Sequence, residues 1–172
     1  MIDIAQLRLE PGVERSVEVP VAVPRIEIGG VDYTGPLSPP IARVDLTRLL
    51  SGLLLRLRLQ TTITGPCHRC LEDAHVPVAI DAREYQADQP EVGAEAEEVC
   101  DYLQGDELDV ATWASDAIVL SMPHKILCRE DCRGLCPSCG QDLNAGPCQC
   151  PPPAPDDRWG PLRGLVDDGA DG

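Results

Sequence analysis

The fold of this chain is decided by the stretch Leu53-Leu-Leu-Arg-Leu-Arg-Leu-Gln-Thr-Thr-Ile-Thr-Gly-Pro-Cys-His-Arg-Cys70. Its leucines alternate with polar residues, and this period of two predicts a half-buried β-strand over 53–63. A second alternating stretch, Val76 to Ala82, follows directly after the cysteines. Two such strands joined by a short turn predict a long antiparallel hairpin. Its tip carries the Cys-x-x-Cys pair Cys67 and Cys70.

Weaker patterns surround this hairpin. Residues 15–28 alternate loosely around two prolines and predict a broken edge strand, and residues 41–46 predict a further strand. Residues 109–122 have the apolar spacing of an amphipathic helix. Asp109 is the candidate N-cap of this helix, and Pro123 lies just past its end. The helix is expected to lie across the hairpin sheet.

A run of six cysteines between Cys128 and Cys150 is the strongest chemical signal. Paired thiols two residues apart, flanked by Gly and Pro, are typical of a zinc knuckle, a tight turn in which two sulfurs face one metal ion. In a reducing compartment this spacing favours metal ligands over disulfides, and the odd total of nine cysteines also disfavours a disulfide framework. We predict two structural Zn²⁺ ions per chain. The eight candidate ligands are Cys67, Cys70, Cys128, Cys132, Cys136, Cys139, Cys148 and Cys150.

The spacing also predicts how these ligands are partitioned. The last four, from Cys136 onward, are close enough in sequence to form a compact local site. Cys128 and Cys132 then need two more ligands, which the hairpin pair can supply. The alternatives are His68 or His124 as substitute ligands, a redox pair or unligated thiols at the hairpin tip, and disulfides within the run. Four thiolates leave no open position for water, so both sites are predicted to be structural.

The composition limits the size of the hydrophobic core. The chain has 172 residues, no Phe, two Trp and seventeen Pro. A core of Val, Leu, Ile and Ala buries less area per residue than one with aromatic side chains, and metal ions then contribute most to stability. We therefore expect zinc to be required for folding.

Charge restricts the kind of partner that the chain can bind. The formal net charge is −15, and residues 84–124 contain eleven acidic side chains and no Lys or Arg. Segment 86–108 is predicted to be a mobile acidic loop, in which Cys100 is a plain thiol. A nucleic-acid-binding protein needs a basic face, so direct binding of bare RNA is not expected. The expected partner is a basic protein, toward which the acidic loop would mimic a phosphate backbone.

Missing motifs exclude several functional classes. The sequence contains no Gly-rich phosphate loop, no Gly-x-Ser-x-Gly motif and no His-Glu-x-x-His motif, and its three His are scattered. We therefore expect no enzymatic activity. The N-terminus has no basic region followed by an apolar run, and no apolar stretch reaches about 18 residues. These features predict a cytoplasmic protein without a membrane segment.

The patterns divide the chain into three parts. Residues 1–127 are predicted to form an antiparallel sheet domain that includes the acidic loop and the helix. Residues 128–150 are the Cys-rich zinc-binding segment. Residues 151–172 are a Pro-rich spacer and tail, with a short docking helix over 156–166. The predicted fold class is α+β: an antiparallel β-sheet whose long hairpin carries the knuckle, one or two covering helices, and a zinc-stapled C-terminal segment.

Three segments together resemble the YceD family of bacteria and plastids. The hairpin tip Cys67-His-Arg-Cys-Leu-Glu72 is similar to the family's Cys-x-Arg-Cys-Leu-Glu signature. The helix end Ile118-Val-Leu-Ser-Met-Pro123 is similar to its Leu-x-Leu-Pro motif and runs into the cysteine-rich stretch 127–144. The segment Asp157-Arg-Trp-Gly-Pro-Leu162 resembles its C-terminal Asp-x-Arg-x-x-x-Leu. The order and spacing of these segments agree with the family over 53–165.

This resemblance implies a role in the accumulation of large-subunit (23S) ribosomal RNA, through its synthesis, processing or stability. It implies no enzymatic activity, and the cysteine run is similar to that of a Cys-rich, actinobacterial-like member. Together with the charge argument, it predicts a basic ribosomal protein or a large-subunit assembly intermediate as the partner. The alternative is a redox- or zinc-responsive regulatory protein whose thiols release metal on oxidation. A metal-dependent hydrolase or nuclease would need an open coordination position.

Overall fold

The structure is a computed structural model that describes residues 1–89, 99–151 and 158. The chain forms two compact units, Met1–Gly134 and Leu135–Gly172. Cys128 and Cys132, which the sequence placed in the Cys-rich segment, therefore belong to the first unit. The predicted docking helix over 156–166, the tail beyond Pro151 and the acidic stretch 90–98 lie outside the described residues, with Arg158 as the exception.

A four-stranded antiparallel sheet with the strand order β2-β5-β6-β7 forms the centre of the first unit. Its strands are β2 (Glu14–Pro20), β5 (Ile41–Arg48), β6 (Gly52–Pro66) and β7 (Asp73–Ala87). The pairing of β6 with β7 is regular from Gly52↔Ala87 to Pro66↔Asp73, so the two strands form the predicted long hairpin. The alternation also holds, because one face of β6 is buried. The residues on this face are Leu53, Leu55, Leu57, Leu59 and Ile63.

Two smaller sheets complete the first unit. In the first, β3 (Ile26–Ile28) pairs with β4 (Val31–Tyr33), so the stretch predicted as one broken edge strand contributes to two sheets. In the second, the strand order is β1-β9-β8. Its strands are β1 (Ile2–Asp3), β8 (Leu103–Gln104) and β9 (Glu107–Leu108), and a 3₁₀ turn at Ala5–Leu7 follows β1.

The segment 86–108, which the sequence predicts as an acidic loop, contains strand residues in its described parts. Gln86 and Ala87 end β7, and β8 and β9 form a tight hairpin around Gly105, whose φ is +61°. A glycine adopts this conformation without strain. Cys100 is buried rather than placed in an open loop. The long-range pairing of Ile2 with Leu108, which a local composition argument does not detect, contributes to this order.

Helix α1 (Val110–Ser121) confirms the predicted helix and packs against β7. The carboxylate of Asp109, its N-cap, accepts a hydrogen bond of 3.1 Å from the backbone N–H of Thr112. The buried side of the helix includes Trp113 and Ile118, and the Trp113 ring stacks on Tyr102 with centroids 5.8 Å apart. No helix among the described residues is long and apolar enough to cross a membrane.

Candidate metal centres

The first cluster joins the hairpin tip to the segment that follows α1. Cys67 and Cys70 come from the turn between β6 and β7, and Cys128 and Cys132 come from the later segment. The Sγ atoms of Cys67 and Cys132 are 3.8 Å apart, and those of Cys70 and Cys128 are 3.5 Å apart. All four Sγ atoms lie within 4.8 Å of one another. These distances exclude disulfide bonds, which require about 2.05 Å, and none of the four cysteines forms a disulfide.

The backbone of the hairpin tip directs its two sulfurs to one side. The backbone N–H of Cys67 donates to the Glu72 carbonyl at 2.7 Å, and that of Leu71 donates to the Cys67 carbonyl at 3.0 Å. Leu71 closes this turn with φ at +65°, which is unusual for a residue other than Gly. The backbone N–H of Arg69 also points at the Cys67 sulfur, at 3.4 Å. The tip thus presents its thiols already oriented.

The end of strand β4 and the residue after it hold the base of the hairpin tip in place. Thr34 and Thr64 exchange two backbone hydrogen bonds of 2.9 and 2.8 Å, and the hydroxyl of Tyr33 donates to the Pro66 carbonyl at 3.0 Å. Gly65 is required here because a Cβ atom would lie 2.3 Å from Cδ1 of Tyr33. The Gly-Pro dipeptide before the first cysteine therefore has a packing role as well as a turn role.

Three contacts attach the later segment to this tip. The backbone N–H of His68 donates to the carbonyl of buried Ile126 at 2.7 Å, and the Arg69 guanidinium donates to the Cys132 carbonyl at 2.6 Å. Gly134 follows with φ at +76°, and a Cβ atom there would lie 2.9 Å from the Arg69 carbonyl oxygen. Sequence reasoning missed Arg69 and Gly134 as determinants of the cluster. Two features of the sequence could have identified these residues: Arg69 lies inside the knuckle, and Gly134 follows Cys132 by two residues.

The second cluster lies entirely within the second unit. The Sγ atoms of Cys136 and Cys148 are 3.4 Å apart, and with those of Cys139 and Cys150 they all lie within 4.8 Å of one another. The backbone N–H of Cys136 donates to the Gln141 carbonyl at 2.9 Å, and that of Gly140 donates back to the Cys136 carbonyl at 2.9 Å. Cys136 is the one buried cysteine of this cluster, whereas three of the four in the first cluster are buried, so the second cluster is more open to solvent.

Each cluster stabilises one thiolate and disfavours another. In the first, burial opposes ionisation of Cys67, but backbone N–H groups, including those of Cys70 and Arg69, lower its pKa to about 6. Desolvation and hydrogen bonding to the other thiols raise the pKa of Cys128 to about 12. Without a metal ion, four thiolates so close together would repel one another. A cation that binds all four must therefore displace protons.

The second cluster has the same electrostatic division. The backbone N–H groups of Cys139 and Ser138 lower the pKa of Cys136 to about 6. Hydrogen bonding to Cys139, followed by desolvation, raises the pKa of Cys150 to about 12. Each cluster therefore contains one sulfur whose pKa is lowered toward the thiolate form that binds a cation, and one whose pKa is raised.

The donor set fits a tetrahedral metal ion. Four sulfurs placed tetrahedrally about 2.3 Å from a zinc ion lie about 3.8 Å from one another, and the measured pairs lie between 3.4 and 3.8 Å. The grouping into two sets of four is the one predicted from the spacing. Neither group includes His68 or His124, which had been considered as substitute ligands. Both four-cysteine clusters could thus hold a metal ion.

Cys100 belongs to neither cluster. Its side chain is buried, its backbone N–H donates to the Gln86 Oε1 atom at 3.0 Å, and burial raises the pKa of its thiol. It is a packed core thiol near the end of β7.

These features define the chain as a protein with a mainly antiparallel β-sheet fold, one helix among its described residues, and two closed four-thiol clusters. The sequence profile of the family described as large ribosomal RNA subunit accumulation protein YceD matches residues 55–166, which is more than half of the chain. The chain belongs to this family.

The relatives come from actinobacteria and plants. An uncharacterised protein of Mycobacterium tuberculosis is 30% identical over 159 residues, which cover 85% of this chain and 72% of that protein. A chloroplastic large ribosomal RNA subunit accumulation protein YCED homolog of Zea mays is 29% identical over 158 residues, covering 72% of this chain and 53% of the maize protein. The corresponding Arabidopsis thaliana homolog is 26% identical. No solved structure matches the chain significantly.

Proposed function

We propose that this protein is a non-catalytic ribosome-biogenesis factor that supports the synthesis, processing or stability of 23S ribosomal RNA. One observation carries the proposal: the family match extends over residues 55–166 and so includes both the hairpin tip and the four-thiol clusters. The family is described by accumulation of large-subunit ribosomal RNA, and so are the plant relatives. The proposed place of action is the cytoplasm.

In this proposal both clusters hold structural Zn²⁺. Zinc is chosen because all eight donors are thiolates, which favour zinc over the harder cations magnesium and calcium. Four protein ligands at each ion leave no position for a water molecule, so the ions organise the backbone and perform no reaction. Cys67, Cys70, Cys128 and Cys132 would hold one ion, and Cys136, Cys139, Cys148 and Cys150 the other.

The proposed partner is a basic ribosomal protein or a large-subunit assembly intermediate, rather than bare RNA. The net charge of −15 supports this choice, because a nucleic acid would be repelled at long range and a basic protein attracted. Residues 84–124 concentrate this charge in one segment of the chain, which contributes eleven of the carboxylates.

The test is deletion of the gene in its native bacterium, followed by complementation. The expected result is a fall in the ratio of 23S to 16S ribosomal RNA that the wild-type gene restores and a Cys132→Ser variant does not. An unchanged ratio in the deletion strain would refute the proposal. Tight binding of purified protein to protein-free 23S RNA at physiological salt would refute the choice of a protein partner.

A second candidate, a redox- or zinc-responsive regulator, is favoured by the second cluster. Three of its four cysteines, Cys139, Cys148 and Cys150, are exposed or partly exposed, whereas three of the four in the first cluster are buried, and oxidation begins at accessible thiols. Release of one zinc ion at low peroxide, together with a change of partner, would support this candidate. A cluster that keeps its zinc under those conditions would exclude it.

A further inference from the structure

Strand β7 has a free edge. In the main sheet it is last in the order β2-β5-β6-β7, and among the described residues its only ladder partner is β6. Hydrogen bonds at both ends of the hairpin, Cys67 N–H to Glu72 O and Asp88 N–H to Ser51 O, show which residues face β6. In both bonds the residue next to β6, Cys67 or Ser51, is odd-numbered. Its partner next to β7, Glu72 or Asp88, is even-numbered. The even-numbered residues of β7 therefore bond to β6.

The odd-numbered residues of β7 thus direct their backbone groups outward. In an antiparallel pair this direction alternates along the strand, so the N–H and C=O groups of Ala79, Asp81 and Arg83 point to the free side. Pro77 fits the same rule, because its missing N–H would also point outward, and proline is tolerated in a sheet at such positions. From Ala79 to Arg83, the outward donors and acceptors of this edge have no backbone partner among residues 1–89, 99–151 and 158.

A groove lies directly beside this edge. It has a volume of about 380 Å³ and is bounded on one side by residues 79–82 and Glu84 of β7 and on the other by α1 and Tyr102. The α1 wall consists of Trp113, Ala117, Leu120 and Ser121, which share one face of the helix. Leu120 is 85% exposed, which is unusual for a large apolar side chain next to a core tryptophan.

The charge on the α1 side of the groove is negative. Its lining includes Glu84, which shares the core face of β7 with Ile80 and Ala82, and no Lys or Arg. Among the described residues Glu84 has no ion-pair partner, and burial, followed by the nearby charge of Asp101, raises the pKa of its carboxyl. Asp116, which accepts a hydrogen bond from the Tyr102 hydroxyl at 3.2 Å, adds to the negative charge on the α1 side.

We propose that the free edge of β7 and the groove beside α1 bind an extended, basic peptide segment of a partner protein as an added strand. The segment pairs its backbone with Ala79, Asp81 and Arg83. Every second side chain of the segment points toward α1. On that face we expect apolar side chains against Trp113 and Leu120 and basic side chains near Glu84 and Asp116. This inference rests on the proposed function in one respect, the choice of a basic protein as the partner.

The test uses purified full-length protein and a capped (Lys-Thr-Val-Thr)₂ peptide, in which Lys and Val share one face of the strand, with (Glu-Thr-Val-Thr)₂ as the control peptide. Saturable binding of the basic peptide and none of the acidic one is expected in fluorescence anisotropy. Amide hydrogen exchange followed by NMR gives the geometry. On binding, the amides of Ala79, Asp81 and Arg83 should become protected, whereas those of Ile80 and Ala82 are already protected by β6.

Two matched variants locate the binding surface. Leu120→Lys places a positive charge and a longer side chain in the groove, and Val119→Lys adds the same charge one residue away, at a half-exposed position that does not line it. Since both residues are exposed, neither change should unfold the protein. Leu120→Lys is expected to weaken peptide binding by about tenfold or more, through lost apolar contact and like-charge repulsion. Val119→Lys should leave binding within about twofold, because exposed charges are screened.

The proposal is overturned by absence of saturable binding, by equal effects of the two variants, or by binding without protection at Ala79 and Asp81. A concentration-dependent dimer in sedimentation that Leu120→Lys disrupts would assign the edge to a second copy instead, and would also overturn it. None of these outcomes bears on the ratio of 23S to 16S ribosomal RNA, so the proposed function would stand or fall separately.

Discussion

The two knuckles of this protein share one backbone design. In each, the N–H of the first cysteine donates to the carbonyl five residues on, and its carbonyl accepts the N–H four residues on. The residue at that fourth position has a left-handed backbone in both, with φ at +65° for Leu71 and +72° for Gly140. The same hydrogen bonds thus orient Cys67 and Cys136. The comparison shows that the local turn depends little on where in the fold it is placed.

The clusters built on these knuckles differ in what they connect. Sulfur pairs in the first cluster join residues 58 and 65 positions apart, whereas Cys136 and Cys148 are 12 positions apart. Closing a loop of 58 rather than 12 residues restricts the unfolded chain by about 1.4 kcal/mol more. The first cluster is also more buried. We infer that the first ion stabilises the sheet unit and the second ion only its own short segment.

The largest effect is expected from removal of one ligand in each cluster. Cys132→Ser should lower the free energy of unfolding of the sheet unit by more than about 3 kcal/mol, a part of the roughly 10–16 kcal/mol that zinc binding contributes in zinc-finger peptides. Cys139→Ser should leave the unfolding of the sheet nearly unchanged. Scanning calorimetry and elemental analysis check this pair. Equal destabilisation by the two variants would show that the clusters do not divide their roles in this way.

A pair of glycines isolates the attachment of the later segment to the hairpin tip. Gly134 and Gly140 have nearly equal φ, +76° and +72°, so alanine meets the same backbone strain of about 1 kcal/mol at both. Only at Gly134 would the added Cβ atom meet the Arg69 carbonyl, at 2.9 Å, since Gly140 has nothing within 4 Å. Gly134→Ala should therefore cost about 1–2 kcal/mol more than Gly140→Ala in urea unfolding. Equal costs would mean that the contact with Arg69 contributes nothing.

Substitution of Asp45 tests what stabilises the main sheet at a position that belongs to neither cluster. It is 3% exposed, and although burial raises its pKa, hydrogen bonds from Ser16, Arg43 and Arg58 lower the pKa to about 2. Because this lies below the unfolded value of about 3.9, the stabilisation is complete above pH 4 and is lost as the pH falls through about 2. Asp45→Asn should cost about 1–2 kcal/mol at neutral pH, an amount reduced because both arginines are partly exposed.

The pH profile of this variant provides its control. The difference in unfolding free energy between wild type and Asp45→Asn should shrink from pH 4 to pH 2, while zinc content stays the same in both proteins at each pH. A difference that does not change with pH would show that the carboxylate is not stabilised by its charge.

The smallest effect is expected at Leu71. The left-handed position is a leucine in the first knuckle, whereas in the second it is Gly140. Leu71 is 65% exposed, so its replacement by glycine loses little packing. Leu71→Gly removes the left-handed strain and should raise the stability of the sheet unit by about 1 kcal/mol. Thermal unfolding followed by circular dichroism would detect this gain. A lower melting temperature would mean that the Leu71 side chain contributes more through contacts than its conformation costs.

The hairpin and the division of the cysteines could be predicted because both depend on local signals. The alternating leucines from Leu53 to Leu59 specify which face of β6 is buried, and this determines where Cys67 and Cys70 emerge. The spacing of the thiols then separates a local set from a set that needs distant partners. In both cases neighbouring residues favour one arrangement, although the sequence alone left substitute ligands and disulfides open for the cysteines.

What the sequence did not predict depends on contacts between distant residues. Asp45 stands at an outward position of β5, yet the side chains of Arg43 and Arg58 cover it. The pairing of β9 with β1 joins Ile2 to Leu108, more than 100 positions away, although Gly105-Asp106 between β8 and β9 is a hairpin signal in itself. Because the segment around it is acidic, a loop was predicted there instead of a hairpin. The contact of Gly134 with Arg69 likewise requires both partners to be in place.

The central claim, that eight cysteines hold two structural zinc ions, is tested most directly by counting and identifying the metal. Elemental analysis of the folded protein should find two zinc per chain, and one in Cys136→Ser. X-ray absorption at the zinc edge should show four sulfur neighbours at about 2.3 Å and no oxygen. A folded protein without zinc, or a zinc ion with an oxygen or nitrogen neighbour, would contradict the account.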